Sequence, residues 1–292
     1  MRAPRTLLWL LFCWLPLTAA AAPPAVLEGV VSPAWAVRGV SRVPLAPGAD
    51  LLPGDEILTG AGARALLRMA DGSQVKLGEK ARFVVAAGKL KRGATPVFEA
   101  TLRVLAGAFR FTTSALAKVA MRREVNIQLP TVTAGIRGTD LWGKATDDRE
   151  FVVLIEGKIG VRRGSGEEVA LDAPLSVFDA PKGAPDAAVT TVTQALLAEY
   201  ARETEIESGS GGMRAGGRWK VTVLATADQS SALAAYDRLR DAGFPAAIAP
   251  RMDGTRTVYR VRIDGLPSSA EASALAVRLK TRFDYPEVSV SL

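Results

Sequence analysis

The chain has 292 residues, of which 48% are hydrophobic and 23% charged, so it is long and apolar enough for two or three globular domains. Its formal net charge is +7. It contains no histidine and one cysteine, which excludes zinc sites and Ser-His or Cys-His catalysis, and we expect no enzyme activity, metal or cofactor.

The first 22 residues have the pattern of a secretory signal peptide. Arg2 and Arg5 precede an apolar run at residues 7–17, and four small residues at 19–22 follow it; the single cysteine, Cys13, lies inside the run. Removing this segment takes away two arginines and no acid, which lowers the net charge to +5, a surplus that fits an anionic polymer. No other stretch approaches the ~18 apolar residues that a membrane span needs. We therefore expect an exported protein with no transmembrane segment in the mature chain.

Residues 26–178 read as short strands separated by turns, which predicts an all-β sandwich, roll or barrel. Asp71-Gly72 lies between two apolar runs and predicts a β-hairpin. Gly107 and Glu156-Gly157 are flanked in a similar way and predict two more hairpins. Residues 151–155, FVVLI, form a continuous apolar run that predicts a strand buried on both faces.

This region resembles the periplasmic FecR-like domain over about residues 27–163. The resemblance rests on residues 52–60 (LPGDEILTG), the Asp71-Gly72 turn, residues 105–107 (LAG) and residues 134–140 (AGIRGTD). The family takes its name from a regulator that relays outer-membrane iron uptake to a sigma factor. That regulator has a cytoplasmic segment and a membrane helix that are not found in this sequence, so the resemblance implies a periplasmic β module but does not extend to anti-sigma signalling. An envelope signalling or scaffold role through protein contacts of this domain is the alternative.

The candidate polar residues of the β region have simpler structural explanations. In Arg137-Gly138-Thr139, Gly138 permits a backbone conformation that other residues resist, and Arg137 is expected to hydrogen-bond carbonyls of a nearby turn. Asp55 is expected to satisfy amides of its own turn. Asp147 and Asp148 are expected in a solvated loop, so the sequence offers no catalytic carboxylate pair.

Residues 179–216 are rich in Pro, Ala, Thr, Glu and Gly and are expected to be a linker. Helix-forming residues at 193–207, with a partial stripe of Leu196, Leu197 and Tyr200, predict a short helix that docks on the β domain. The glycine-rich residues 208–217 are expected to be flexible and to let the C-terminal region move independently.

Residues 217–292 contain two copies of one pattern, forty positions apart. Each copy opens with an alternating strand and continues with an apolar helical stripe, which predicts a ferredoxin-like βαββαβ domain of the α+β class. The strand residues are Trp219, Val221 and Val223 in one copy and Tyr259, Val261 and Ile263 in the other. Gly243 is expected to end the first helix, and residues 268–271, SSAE, to form a capping box before the second.

The two helices can cover one face of this sheet, and the other face is expected to be open. Strand alternation assigns to the open face Lys220, Thr222, Leu224, Ala247, Ala249, Val258, Arg260, Arg262, Ser289 and Ser291. Nucleic acid is not an expected partner, because the strand aromatics Trp219 and Tyr259 fall on the covered face and the chain is exported.

Residues 217–292 resemble the SPOR domain, a bacterial module that binds peptidoglycan glycan strands stripped of stem peptides and is common at division septa. The resemblance rests on residues 219–223 (WKVTV), 239–245 (LRDAGFP), 258–263 (VYRVRI) and 268–272 (SSAEA). It implies a periplasmic peptidoglycan-binding protein that is not an enzyme, and it leaves septal enrichment in cell division open.

The open face suits such a ligand, because stripped glycan exposes a carboxylate on each muramic acid. Arginines bind carboxylates in a charge-assisted, even bidentate, manner. The expected ligands are therefore Arg260 and Arg262, with Lys220 as a point charge, Thr222, Ser289 and Ser291 for hydroxyls and acetamides, and Leu224 and Val258 against sugar faces. The family usually has Gln at the position of Thr222 and a small residue at that of Leu224. A solvated basic face without a ligand is the alternative.

Overall fold

The computed structural model describes residues 23–91, 93, 96–115, 122–136, 138–285 and 287–292. The predicted signal peptide, residues 1–22, and the predicted contacts of Arg137 lie outside the described residues. In the described part, no helix is long and apolar enough to cross a membrane.

The N-terminal region is an all-β domain, as the sequence predicts. Its strands are β1 (Ala25–Val31), β2 (Ala34–Arg38), β3 (Ser41–Pro44), β4 (Asp50–Leu51), β5 (Glu56–Thr59), β6 (Arg64–Met69), β7 (Gln74–Leu77), β8 (Arg82–Lys91), β9 (Val97–Thr112), β10 (Arg122–Gln128), β11 (Val132–Ile136), β12 (Asp140–Ala145), β13 (Arg149–Glu156), β14 (Ile159–Arg163), β15 (Val169–Leu171), β16 (Ser176–Pro181) and β17 (Thr190–Thr191). They form two sheets that share β9. Most buried residues of both sheets belong to one hydrophobic cluster, and a smaller cluster of Ala108, Trp142, Val153 and Val177 lies apart from it. Among the described strands of this domain, pairing is antiparallel except between β9 and β10.

The predicted hairpin at Asp71-Gly72 is confirmed, because β6 and β7 pair across it with Arg68 opposite Gln74. The hairpin predicted at Gly107 is wrong: β9 runs through this residue and passes from one sheet to the other. Gly107 has φ +86°, and a Cβ there would lie 2.6 Å from the Cα atom of Ala81, so glycine is needed for a bend rather than for a turn.

The hairpin predicted at Glu156-Gly157 is also wrong. β13 pairs with β12 and β16, whereas β14 pairs with β11 and β15, so the chain changes sheets at this corner. The prediction that β13 is buried on both faces is confirmed. Val152, Val153 and Leu154 point alternately to opposite faces, and all three are fully buried.

The outer face of β13 is covered by α1 (Gln194–Arg202), which lies within the segment where the sequence predicts a short helix. The Tyr200 ring stacks on the Trp142 indole with centroids 4.6 Å apart and planes 7° apart. Leu197 joins the same apolar cluster. The helix thus docks on the β domain, as expected from the sequence.

The C-terminal region is the predicted βαββαβ domain. Its elements are β19 (Trp219–Thr226), α2 (Gln229–Asp241), β20 (Ala246–Asp253), β21 (Arg256–Leu266), α3 (Ser269–Phe283) and β22 (Ser289–Ser291), and the strand order is β20-β21-β19-β22. Gly243 ends α2 as predicted, with φ +85° and its N–H donating to the carbonyl of Arg240 at 2.9 Å.

The segment predicted to be flexible, residues 208–217, is instead tied to both domains. Its strand β18 (Met213–Arg214) pairs with β1 through Gly29 and Val30. The carboxylate of Glu271, which is 9% exposed, accepts the N–H groups of three segment glycines, namely Gly209 at 2.6 Å, Gly211 at 2.8 Å and Gly212 at 3.0 Å.

Glu271 therefore does not complete the predicted capping box. Ser268 caps α3 by accepting the N–H of Glu271 at 3.2 Å, but the Glu271 side chain binds the segment glycines instead of reaching back to the cap. The sequence pattern correctly placed the start of the helix and missed what its carboxylate does.

Direct contacts also join the two domains. Arg278 of α3 donates to the carbonyls of Ser32 at 2.6 Å and Ser210 at 2.9 Å. The N–H of Ala34 donates to the carbonyl of Gly243 at 3.2 Å. Because the buried apolar cluster also continues from one domain into the other, the two domains pack as one unit.

Candidate functional site

The open sheet face is positioned by the pairing of four strands. Arg262 lies opposite Thr222 and Ala247, and Arg260 lies opposite Ala225 and Ala249. Residues directly opposite each other point to the same side of a sheet, so these side chains share one face. The buried residues that alternate with them face α2 and α3.

Strand β22 adds hydroxyls to this face. Ser289 lies opposite Thr222, and Ser291 lies opposite Lys220. Lys220, Thr222, Arg260 and Arg262 are half-buried, whereas both serines are exposed. The structure thus brings together seven of the eight predicted binding residues: Lys220, Thr222, Val258, Arg260, Arg262, Ser289 and Ser291.

Leu224 is the exception, and its predicted place on the open face is wrong. A β-bulge between Thr222 and Leu224 shifts the register, so that Leu224 lies opposite Val261 and packs on the hydrophobic core. The side chain next to Arg260 on the open face is then Ala225. The small residue expected beside the arginines is therefore present, one position later in the sequence.

The hairpin between β20 and β21 adds residues that the sequence reasoning missed. Arg251 lies opposite Val258 and is exposed on the open face. Together with Met252, Asp253 and Arg260, these residues line a depression of about 190 Å³. Continuing the alternation of Ala247 and Ala249 by one more step would have placed Arg251 here.

The cations of this face differ in their pairing. The Nε atom of Arg262 lies 3.1 Å from Oδ1 of Asp264, with the two side chains 32% and 43% exposed. Among the described residues, no carboxylate lies within 4.0 Å of the charged groups of Lys220, Arg251 or Arg260. The face therefore keeps a net positive charge, although Arg262 already has a partner.

The polar residues of the β domain have structural partners. Gly138 has φ +122°, and the N–H of Thr139 donates to Oγ1 of Thr113 at 3.1 Å. Asp140 accepts two hydrogen bonds from Arg110, at 3.0 and 2.7 Å. Asp147 and Asp148 are exposed in the loop between β12 and β13, as expected.

Asp55 makes more than the local bond that was expected. It accepts the N–H of Leu52 at 2.8 Å and also two hydrogen bonds from Arg38, at 2.7 and 2.6 Å. Burial raises the pKa of Asp55, but the hydrogen bonds and the charge of Arg38 outweigh it, so the net pKa lies below the usual value. This carboxylate stabilises the fold and is not free for acid-base chemistry. In the part of the chain that the structure describes, no group of three or more acidic residues is arranged to hold a metal.

Comparison with known families agrees with this architecture. Residues 55–160 match the family model "FecR protein". Residues 215–288 match the family model "SPOR domain". Both resemblances drawn from the sequence are thereby confirmed, in the same order along the chain. A SPOR domain implies peptidoglycan binding, a FecR-like domain implies envelope signalling, and both families are non-enzymatic and characteristic of envelope proteins.

Two crystal structures of a candidate anti-sigma factor from Parabacteroides distasonis ATCC 8503, at 1.65 and 2.50 Å resolution, are similar to this chain with a TM-score of 0.40 each. The identities are 13% and 12%; each match covers 78% of this chain and 92% or 91% of the other. No curated protein matches the chain.

Proposed function

We propose that this protein is a non-enzymatic periplasmic peptidoglycan-binding protein. Its SPOR-like domain binds glycan strands stripped of their stem peptides, and this binding holds the FecR-like domain at the cell wall. The observation that carries the proposal is the cationic open face of the four-stranded sheet, where Arg260 stands without a carboxylate partner among the described residues.

The chemistry of this face suits a polysaccharide with carboxylates. Arg260 and Lys220 supply positive charge for a carboxylate exposed by loss of the stem peptide. The hydroxyls of Thr222, Ser289 and Ser291 line one side of the face and suit sugar hydroxyls and acetamides. Val258 lies at the other side and offers an apolar contact for a sugar ring.

The access to this face also supports the proposal. The hydrogen bonds described between the domains come from α3, from Gly243 after α2, and from the segment between the domains. None of them involves the cations of the open face. Binding of a glycan strand to these cations therefore breaks none of these hydrogen bonds.

The proposal is tested by sedimentation of the full chain with amidase-treated sacculi. We expect the double variant Arg260→Ala, Arg262→Ala to bind about tenfold more weakly or worse, since two charge-assisted contacts are lost. The matched control is Lys158→Ala, Lys280→Ala, which removes two exposed cations elsewhere and should bind like the wild type. Equal binding by wild type and the arginine variant would refute the assignment of the face.

The second candidate is an envelope signalling or scaffold protein that acts through the FecR-like domain, and the match of residues 55–160 to that family favours it. Localisation of an exported fluorescent fusion separates the two. If glycan binding holds the protein at the wall, the arginine variant should lose any septal or wall enrichment. Point variants are preferable to a deletion, because removing the C-terminal domain would uncover the buried partners of Arg278 and Gly243.

A further inference from the structure

We infer that Asp264 is a specificity-determining residue of the open face: it occupies Arg262 and leaves Arg260 as the cation that a ligand carboxylate meets. The inference rests on the proposed function. It separates an unpaired cation, Arg260, from a cation that is paired within the protein, Arg262.

The arrangement follows from the pairing of β21 and from one contact. Arg260 and Arg262 are two positions apart and share the open face; a β-bulge follows Ile263, and the contact with Arg262 places the Asp264 carboxylate beside them. The Nε atom of Arg262 and Oδ1 of Asp264 lie 3.1 Å apart, and neither atom is exposed to solvent or has an aligned hydrogen bond among the described residues. Much of the charge of Arg262 is thus balanced within the protein before any ligand arrives.

Arg260 has different neighbours. Its opposite residues on the adjacent strands are Ala225 and Ala249, which carry neither charge nor hydrogen-bonding groups in their side chains. No described carboxylate competes for its guanidinium within 4.0 Å. An incoming carboxylate can therefore bind Arg260 without breaking an existing ion pair. To bind Arg262 it must first break the pair with Asp264.

Asp264 also lies near a second cation. Asp264 and Lys220 line the same depression, of about 410 Å³, at the end of the sheet next to Gly217 and Gly265. A carboxylate at this place weakens the attraction that Lys220 exerts on an approaching anion. Asp264 accordingly lowers the positive potential at the Lys220 end of the open face, whereas the Arg260 end carries the cations Arg251 and Arg260 beside Asp253.

This division selects for a certain kind of ligand. The Arg262–Asp264 pair carries little net charge, so the surface around it suits a neutral sugar group better than an anion. A polymer whose carboxylates are separated by neutral sugars can place one carboxylate at Arg260 and neutral groups at the pair. A densely charged polyanion is repelled by Asp264.

The test is a double-mutant cycle on the full chain, with amidase-treated sacculi and polyglutamate as the two probes. Asp264→Asn should strengthen binding of stripped glycan about twofold to fivefold, the range set by a part-exposed ion pair, and should strengthen polyglutamate binding more. Arg262→Ala alone should weaken glycan binding less than Arg260→Ala does. In the Arg262→Ala background the gain from Asp264→Asn should fall to less than half, because its main route is through Arg262 and only the weaker effect on Lys220 remains.

The control is Asp237→Asn, which makes the same charge change on an exposed residue of α2, on the helix side of the sheet. If Asp264→Asn weakens glycan binding, Asp264 is a direct ligand and the inference is wrong. An undiminished gain in the Arg262→Ala background would also overturn it, in favour of general repulsion. Failure of the wild type and of every variant to bind stripped glycan would instead overturn the proposed function, and the inference with it.

Discussion

Replacing Glu271 by alanine should release the segment that joins the two domains. This carboxylate, buried at the start of α3, holds the N–H groups of Gly209, Gly211 and Gly212 at 2.6–3.0 Å. Hydrogen bonds to a charged group contribute about 1.5–3 kcal/mol each, so three such bonds set an upper limit of about 5–9 kcal/mol. The freed glycine N–H groups can regain water, and Met213 and Arg214 keep their pairing with β1. We therefore expect Glu271→Ala to lower the free energy of unfolding by about 2–4 kcal/mol.

Two measurements check this prediction. Urea denaturation gives the loss of unfolding free energy, and hydrogen exchange should show faster exchange of the Gly211 and Gly212 amides, which are buried in the wild type. Glu271→Gln keeps one acceptor oxygen and should fall between alanine and the wild type. Glu287→Ala removes an exposed carboxylate of the same domain and should change stability by less than about 0.5 kcal/mol. If the Gly211 and Gly212 amides exchange equally fast in wild type and Glu271→Ala, the segment is flexible and the anchoring argument fails.

Two further predictions concern charged residues with defined partners. Asp55→Asn should destabilise the protein at pH 7, because Arg38 and the Leu52 amide lose the charge they bind. Since the folded pKa of Asp55 is lowered, its contribution is present above the unfolded value of about 4 and is lost as the pH falls below it, so the variant and the wild type should converge in urea denaturation at low pH. Arg278→Ala should lower the free energy of unfolding by about 1–3 kcal/mol, because it removes two charge-assisted hydrogen bonds to the carbonyls of Ser32 and Ser210. Calorimetry should show the C-terminal domain unfolding at a lower temperature. An unchanged thermogram would contradict the role of Arg278 in joining the domains. Lys280→Ala, at an exposed position of the same helix, is the control for Arg278.

The sequence was informative where the signal is local and repeated. Two copies of one strand-and-helix pattern predicted the βαββαβ domain, because alternation along a strand and the spacing of a helical stripe depend on neighbours in the chain. The Asp71-Gly72 hairpin and the end of α2 at Gly243 were predicted for the same reason. The positions of Arg260 and Arg262 on the open face also followed from alternation alone.

The sequence was ambiguous where a glycine has more than one use. Gly107 and Gly157 both separate apolar runs, and a hairpin was the natural expectation. In the structure each allows the chain to pass between two sheets, and the choice between a turn and a bend depends on which strands lie alongside. Those strands come from distant parts of the chain.

Only the tertiary structure decided the details that control the site and the joining of the domains. The bulge that turns Leu224 into the core depends on the register with β21, which a single strand does not specify. The carboxylate of Glu271 reads as part of a local cap, yet its partners lie about sixty residues earlier in the chain. By itself the sequence determined two domain types and a cationic face. Folding determined which cations stay unpaired and how firmly the domains are held together, because both depend on contacts between residues far apart in sequence.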